Sequence, residues 1–257
     1  AAPGASLVFT TDAVATIPRA YWGAYAAAKA GLEGFMRVMA EEPAVCRQLH
    51  LPVQSGSDRV LKRMNRGYTR RFYLDKVAQL RRSRPDIAIT SDIIVGFPGE
   101  QRDDFQHTVD LIRKVGFDSL FTFKYSNRPN VPAAKFANKV PEDFSAERLS
   151  FLLGVQKAFT MKGYEALVGT TQEILVEGDR KKSHAQLTGR TPCNRVVNIS
   201  NGVGGTACIG RMLSVRIVEA YPNSLLGVLA GDMDGPLSGE NGGICHGARN
   251  ESVRFNH

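Results

Sequence analysis

Two short loops in this sequence combine small residues with polar side chains in a way that suits ligand binding. Residues 54–57 are Gln-Ser-Gly-Ser, and residues 96–100 are Gly-Phe-Pro-Gly-Glu. Each loop follows an apolar run that predicts a β-strand, at residues 49–53 and 87–95. Small residues at a strand end let backbone amides approach a ligand closely. Such turns are common in α/β proteins, so the residues alone predict a binding site without identifying its ligand.

A tyrosine and a lysine four residues apart form a second candidate for chemistry. Tyr25 and Lys29 lie in an alanine-rich stretch that predicts a helix. Positions i and i+4 share one helix face, so the ammonium group can stabilise a phenolate that acts as acid or base. Residues 1–42 resemble a fragment of the short-chain dehydrogenases on this pair. Asp12 stands where that family has its catalytic serine, and the family's glycine-rich nucleotide loop is absent.

The cysteines do not predict a metal centre. They are Cys46, Cys193, Cys208 and Cys245. Their spacing matches neither CxxC nor CxxxCxxC, whereas an iron–sulfur cubane takes several thiolates that converge on one small site. Scattered cysteines in a cytosolic chain are usually reduced and structural. We therefore expect no metal ligands among them.

The order of the predicted elements indicates an α/β unit followed by a β-barrel. Strand and helix signals alternate up to residue 168, which predicts βα units with a parallel sheet. Ser57 and Thr69 suit the N-caps of two helices, and Gly116 suits the end of a third. A long helix is predicted at residues 146–167. Short strand-like runs separated by Gly and Asn then predict a small antiparallel barrel. These runs are residues 172–177, 195–199, 213–218 and 225–229.

Residues 50–58, 62–69 and 92–100 together resemble the C-terminal half of the radical-SAM tRNA methylthiotransferases. The resemblance implies a partial radical-SAM (β/α) barrel at residues 43–168. It also implies S-adenosylmethionine and [4Fe-4S] clusters as cofactors, and methylthiolation of isopentenylated adenosine next to the anticodon. The residues that it implies for S-adenosylmethionine are Gln54, Ser55, Ser57, Ile94 and Gly96. The family's cluster cysteines are absent here, so we expect the chain to be inactive alone and to require a missing N-terminal half.

Residues 169–230 resemble the TRAM domain that ends this family. The resemblance is carried by residues 187–191, 194–198 and 222–225. TRAM domains bind RNA, so the resemblance implies tRNA, through its anticodon stem-loop, as the partner. Backbone phosphates give affinity without base readout, and basic side chains of this region could hold them. The candidates are Lys181, Lys182, Arg190 and Arg195.

Charge and composition agree with an RNA partner. The formal net charge is +8, and residues 46–175 contain 21 basic and 14 acidic side chains. Residues 176–230 contain 7 basic and 3 acidic side chains. A basic balance favours polyanions through counterion release. No apolar run approaches the roughly 20 residues of a membrane helix, which predicts a cytoplasmic protein. Residues 231–257 are rich in Gly, Asn and Ser and predict a flexible tail.

Three functional hypotheses remain open at this level. The first is the methylthiotransferase, the second a non-catalytic tRNA-binding module, and the third a dehydrogenase remnant. Residues 39–42 fit both resemblances, which predicts a chimera joined there. Iron content after anaerobic reconstitution separates the first hypothesis from the others, and NADP binding separates the third.

Overall fold

A computed structural model gives the fold. It describes residues 47–129, 131–180, 183–199 and 208–230. Tyr25, Lys29, Lys181 and Lys182 lie outside these residues, as do the predicted dehydrogenase-like segment and the predicted tail. The chain divides into two compact units, residues 1–166 and 167–257.

The described part of the first unit alternates strands with helices, as predicted. Its strands are β1 (Gln48–His50), β2 (Ala88–Val95) and β3 (Ser119–Lys124). Its helices are α1 (Asp58–Arg63), α2 (Arg70–Ser83), α3 (Arg102–Val115) and α4 (Glu142–Glu165), with a short 3-10 turn at Pro132–Lys135 before α4. None of the helices in the described ranges has an apolar stretch that could cross a membrane.

The three strands form a parallel sheet in the order β1-β2-β3. Thr90 of β2 lies opposite His50 of β1 and Ser119 of β3. Successive side chains of a strand point to opposite faces, and alternate residues of β2 supply the core of the unit. The helices pack on that face. The buried core is Val53, Tyr73, Val77, Ile89, Ile93, Val95, Val109, Leu111, Ile112, Val115, Phe117, Leu120 and Leu152.

Local signals fix most helix ends. The Ser57 hydroxyl accepts the amide hydrogen of the third residue of α1, and the Thr69 hydroxyl does the same for α2. Gly116 has φ 59° and ends α3 in the left-handed conformation that favours glycine. The prediction for α4 was wrong at its start. The helix begins at Glu142, right after Pro141, with two acidic side chains in its first turn where the helix dipole favours them.

The second unit is a closed five-stranded barrel. Its strands are β4 (Thr171–Arg180), β5 (Ser183–Arg190), β6 (Val196–Ile199), β7 (Met212–Tyr221) and β8 (Ser224–Leu229). They follow the order β4-β5-β6-β8-β7, and all neighbours are antiparallel except β6 and β8. Buried Ile, Val and Leu side chains from all five strands form the core. The barrel confirms the prediction, although β5 was not among the predicted strands.

Candidate functional site

The loop after β1 is fixed to β2 by its backbone. The Gln54 amide donates to the Asp92 carbonyl at 2.8 Å, and the Ile94 amide donates to the Gln54 carbonyl at 2.9 Å. Gln54 has φ 70°, a left-handed conformation that is uncommon outside glycine. Such strain persists only where the surrounding structure holds it, and it concentrates at functional sites. The hydrogen bonds to β2 hold Gln54 in this conformation, and the chain turns away from the sheet after it.

Residues 55–57 pack tightly against α3. The Gly56 amide donates to the Thr108 hydroxyl at 2.9 Å, and the Ser57 hydroxyl donates to Asp104 Oδ1 at 2.6 Å. A Cβ atom on Gly56 would overlap the backbone of α3, so only glycine fits. The hydroxyl of Ser55 accepts the Ser57 amide hydrogen at 3.2 Å. The polar atoms of both serines are thus engaged inside the protein, where they hold the loop in place.

The second loop, residues 96–100, closes on a buried glutamate. Gly96 has φ 72°, and its amide donates to Glu100 Oε2 at 2.5 Å. Arg148 of α4 donates to the same oxygen at 2.8 Å, while Oε1 has no hydrogen-bond partner among the described residues. Burial raises the pKa of Glu100, and the Gly96 amide and Arg148 oppose that rise. Burial of this carboxylate costs free energy, and its hydrogen bond to the Gly96 amide fixes the conformation of the loop.

Two arginines of α1 hold the same loop from another side. Arg59 donates to the Gly99 carbonyl at 2.6 Å, and Arg63 donates to the Pro98 carbonyl at 3.0 Å. Arg59 also forms an ion pair with Asp104. Burial alone would raise the pKa of Asp104, but hydrogen bonds from Arg59, Ser57 and the Gln101 amide hold that pKa below its ordinary value. Asp104 therefore links the two loops through one charged network.

The sheet face opposite the core is exposed at its centre, and we call it the open face. Phe121 and Phe123 of β3 are 54% and 53% exposed. Asp92 lies opposite Phe121, and Ile94 lies opposite Phe123. His50 Nδ1 is 2.9 Å from the Thr90 hydroxyl, and His50 Nε2 is 3.4 Å from Asp92 Oδ1. The open face consists of His50, Asp92, Ile94, Phe121 and Phe123.

The basic candidates in the barrel are only partly described. Arg190 donates to Glu177 Oε2 at 3.1 Å and to Asn194 Oδ1 at 2.9 Å. Arg195 lies in the same turn, where its amide donates to the Thr191 hydroxyl at 3.2 Å. The structure thus brings Arg190 and Arg195 to one region. Their role in binding phosphate stays a prediction.

The described residues do not fit an iron–sulfur cluster. They contain no group of three or more His, Cys, Asp or Glu side chains that could hold a metal ion. Cys193 and Cys208 of the second unit are half-buried and buried, respectively, and no disulfide joins them. For S-adenosylmethionine, the half-buried Ile94 on the open face fits a contact, whereas Gly96 is buried with its amide bonded to Glu100 and fits a positioning role. Gln54, Ser55 and Ser57 are nearly fully buried, so they fit a positioning role better than direct contact.

Sequence reasoning missed the arginines that hold the second loop. The contacts of Arg59, Arg63 and Arg148 with that loop join residues 35 to 48 positions apart. No local pattern encodes such contacts. The one available signal was Glu100, because an acidic residue inside an otherwise apolar and glycine-rich loop requires a cationic or hydrogen-bonding partner if it is buried.

Comparison with protein families assigns both units. Residues 24–112 match the Radical SAM superfamily, and residues 165–230 match the TRAM domain. The chain therefore carries a radical-SAM α/β segment followed by a TRAM barrel. The superfamily match includes Tyr25 and Lys29, and nothing in the comparisons supports the dehydrogenase resemblance or a chimera. The superfamily implies S-adenosylmethionine and iron–sulfur chemistry.

The chain is homologous to the tRNA methylthiotransferases. It is 48% identical over 197 residues to tRNA-2-methylthio-N(6)-dimethylallyladenosine synthase of Syntrophobacter fumaroxidans, covering 77% of this chain and 42% of the relative. It is 47% identical to the Legionella pneumophila (strain Corby) protein of the same name, covering 77% of this chain and 43% of the relative. The Acidithiobacillus ferrooxidans (strain ATCC 53993 / BNL-5-31) protein is 51% identical over 179 residues, covering 70% and 39%. The chain thus spans less than half the length of these relatives.

Among solved structures, coproporphyrinogen III oxidase from Escherichia coli, described as a radical SAM enzyme, resembles the chain with a TM-score of 0.40 at 15% identity. That likeness covers 70% of this chain and 44% of the oxidase chain.

Proposed function

We propose that this chain acts in the methylthiolation of isopentenylated adenosine next to the anticodon of tRNA. The observation that carries the proposal is the 47% to 51% identity, over 179 to 197 residues, to synthases named for that nucleoside. Bound S-adenosylmethionine and iron–sulfur clusters would supply the radical chemistry. The two loops of the first unit would hold the cofactor side of the site, with Ile94 in contact. Gln54, Ser55, Ser57 and Gly96 would position the loops. The relatives' tRNA substrate supports a cytoplasmic location.

The described residues contribute positioning rather than redox ligands to this function. Asp104 and Glu100 tie both loops to α1, α3 and α4, so the loops are set before any ligand arrives. Preorganised loops spend less binding free energy on ordering when the ligand binds. The cluster ligands must come from outside the described residues. We propose that the activity requires the further portion that the longer relatives contain.

A chimeric enzyme tests this proposal directly. Residues 46–230 of this chain would replace the matching part of the Syntrophobacter fumaroxidans relative, which is 48% identical to this chain. We expect the chimera to form the methylthio nucleoside in isopentenylated tRNA, measured by mass spectrometry of digested tRNA. The unaltered relative is the positive control. A chimera that folds and retains the relative's iron content but yields no methylthio product would contradict the proposal.

A non-catalytic tRNA-binding module is the second candidate. It is favoured by the lack of metal-ligand groups in the described residues and by the basic surplus of residues 176–230. The two candidates differ in iron. If the chain by itself binds tRNA but takes up no iron and sulfide on anaerobic reconstitution, and the chimera is also inactive, the binding module is the better account.

A further inference from the structure

A segment that follows β3 returns to lie against the second loop. The Tyr125 amide donates to the Val95 carbonyl at 2.8 Å, where the chain leaves β3. Further along the chain, the Gly99 amide donates to the Asn138 carbonyl at 2.7 Å. Asn138 has φ 60°, a left-handed conformation that is uncommon outside glycine. We call residues 131–138 the return segment, and the hydrogen bond to Gly99 joins it to the second loop.

Aromatic rings pack between the second loop and the return segment. Phe97 of the loop is 5% exposed, and its ring packs edge-on against Phe136 of the return segment at 6.2 Å between centroids. The same ring packs edge-on against Tyr125 at 5.2 Å. Edge-to-face pairs of this kind stabilise a structure beyond the apolar area that they bury. The loop and the return segment therefore share one small aromatic cluster.

One cation of α1 contacts both the loop and the return segment. Arg63 is the last residue of α1, and its Nε donates to the Pro98 carbonyl at 3.0 Å. Its guanidinium carbon lies 5.0 Å from the centroid of the Phe136 ring. Gly99 has φ 85°, and a Cβ atom there would lie only 3.1 Å from the guanidinium. Glycine at this position therefore allows both the turn of the loop and the close approach of Arg63.

The contacts of Arg63 depend on the shape of its guanidinium as well as on its charge. Its partners in the loop and the return segment are a carbonyl oxygen and an aromatic ring. A planar guanidinium can donate a hydrogen bond in its plane while its face lies on a ring. A lysine ammonium is a compact point charge and lacks this combination. Loss of the guanidinium should therefore separate the second loop from the return segment even where the positive charge is kept.

We propose that Arg63 is a positioning residue for the cofactor site of the first unit, because it fastens the second loop and the return segment to α1 as one block. The proposal rests on the proposed function, which places S-adenosylmethionine at this loop. It adds a third segment to the two loops that Asp104 and Glu100 hold. A block that is ordered in advance spends less binding free energy on ordering when the ligand binds. Arg63 itself takes no part in the contact with the cofactor.

Hydrogen exchange of the full chain, measured by mass spectrometry, tests the block without any activity. The variants are Arg63→Met, which removes the cation, and Arg63→Lys, which keeps the charge but loses the planar fork. Lys62→Met is the matched control, since Lys62 is the neighbouring exposed cation of α1. We expect both Arg63 variants to exchange about tenfold faster in peptides of residues 96–100 and 131–138. Residues 54–57 and the control variant should show no change.

A second variant removes the ring and leaves the cation in place. Phe136→Leu should speed exchange in the same two peptides, because the guanidinium then has no aromatic face to lie on. Combined with Arg63→Met it should add little, since contacting residues that act together are not additive. If Arg63→Met does not fold, Phe136→Leu and Arg63→Lys decide the same point. Additive effects in the double variant would show that the two side chains act independently, which overturns the block.

Kinetics of the chimeric enzyme test the role of Arg63 at the cofactor site. In the part supplied by this chain, Arg63→Met should raise KM for S-adenosylmethionine about fivefold and change kcat by less than about twofold. This split is expected because the variant loosens the loop before binding and removes no group from the reacting atoms. A general loss of folding would instead lower the amount of active enzyme at an unchanged KM.

The remaining outcomes each overturn a stated part of the proposal. Unchanged exchange in Arg63→Met and Arg63→Lys would overturn the block, and faster exchange in Arg63→Met alone would assign the effect to charge. An equal change in Lys62→Met would show a non-specific effect. A lower kcat at constant KM would remove Arg63 from cofactor binding. If the chimera with Arg63 unaltered forms no methylthio product, the proposed function fails and the assignment to the cofactor site fails with it, whereas hydrogen exchange still decides the block.

Discussion

The two units of this chain bury different kinds of side chain. In the described residues, the first unit buries Gln54, Ser55, Ser57, Glu100 and Asp104 around its two loops, together with further hydroxyls. Among the barrel residues whose side chains are described, only Thr191 and Asn198 are buried polar side chains, within an aliphatic interior. Buried polar groups cost free energy unless they are hydrogen-bonded, and a satisfied network defines one geometry. The comparison indicates that the first unit holds loops in a set position and that the barrel needs only a stable surface.

The ion pairs show the same contrast. Glu100 and Arg148 of the first unit have side chains that are 1% and 15% exposed. Glu177 and Arg190 of the barrel are 45% and 40% exposed. Solvent screens an exposed pair, so its free energy is small, whereas a buried charge that loses its partner is costly. The first unit also has exposed pairs, such as Arg47 with Asp86. The buried charge of Glu100 is therefore structural, whereas the exposed pairs of both units add little to stability.

The largest expected change in the free energy of unfolding comes from breaking the buried ion pair of Glu100 and Arg148. Arg148→Ala should destabilise the first unit by about 3 kcal/mol, because it leaves the Glu100 carboxylate buried without its cation. Arg190→Ala in the barrel should cost less than about 1 kcal/mol. Hydrogen exchange with mass spectrometry in a urea series reads the two units separately. The double variant Arg148→Ala/Glu100→Gln should recover part of the loss. Equal costs for both single variants would remove the contrast between the units.

The next largest expected change in stability comes from overpacking the core of the barrel. A Cβ atom on Gly227 of β8 would overlap a methyl group of Val215, so Gly227→Ala should destabilise the barrel by about 2 kcal/mol. Gly178 is the matched control, since no atom lies within 4 Å of the position of its Cβ. Gly178→Ala should leave the urea midpoint of the barrel nearly unchanged. If Gly227→Ala is also tolerated, the barrel interior is looser than its packing indicates.

The pH dependence of stability should differ between the units. Burial raises the folded-state pKa of Glu100 above its ordinary value of 4.5, so the folded state retains a proton that the unfolded state has lost. The stability of the first unit should therefore fall as pH rises from about 4.5 through the raised pKa. Asp104 has the opposite effect on stability. Its folded-state pKa is lowered, so its contribution to the stability of the first unit is lost as pH falls from 3.8 through the lowered pKa.

Urea unfolding at a series of pH values measures this effect. Glu100→Gln should flatten the decline on the alkaline side for the first unit, while the barrel profile stays unchanged. Retention of the full decline in Glu100→Gln would show that another group causes it.

The sequence predicted the elements where one local signal dominates. Ser57 and Thr69 cap helices because a short hydroxyl before a helical run has an unpaired amide within reach. Strand β2 was predicted as residues 87–95 and found as Ala88–Val95, because its apolar run is long and bounded by turn residues. Strand β1 was predicted as residues 49–53 but ends at His50. Pro52 cannot donate to a ladder, and Gln54 turns away with positive φ.

Features that depend on the tertiary fold could not be predicted from the sequence. Strand β5 was missed because Ser183–Arg190 is largely polar and contains Gly189, whose missing side chain lets Leu175 of the neighbouring strand approach. The open face has no local signal, because it appears only once the register places Phe121 opposite Asp92. The two loops were predicted as ligand sites, but their internal hydrogen bonds depend on helices far along the chain.

Substitution of the barrel lysines should change stability least, but it should change the salt dependence of RNA binding. If Lys181, Lys182, Arg190 and Arg195 each meet one phosphate, log affinity for single-stranded RNA should fall with log salt at a slope of about −3, from roughly −0.7 per contact. Lys181→Ala/Lys182→Ala in the full chain should flatten that slope by about 1 to 2 units, because two ion contacts are lost. Stability should change by less than about 0.5 kcal/mol. Lys157→Ala/Lys162→Ala on α4 of the first unit is the matched control, since both lysines are exposed. If the slope of log affinity against log salt changes equally in both double-lysine variants, both units contact phosphates. The barrel would then not be distinguished from the first unit by its phosphate contacts.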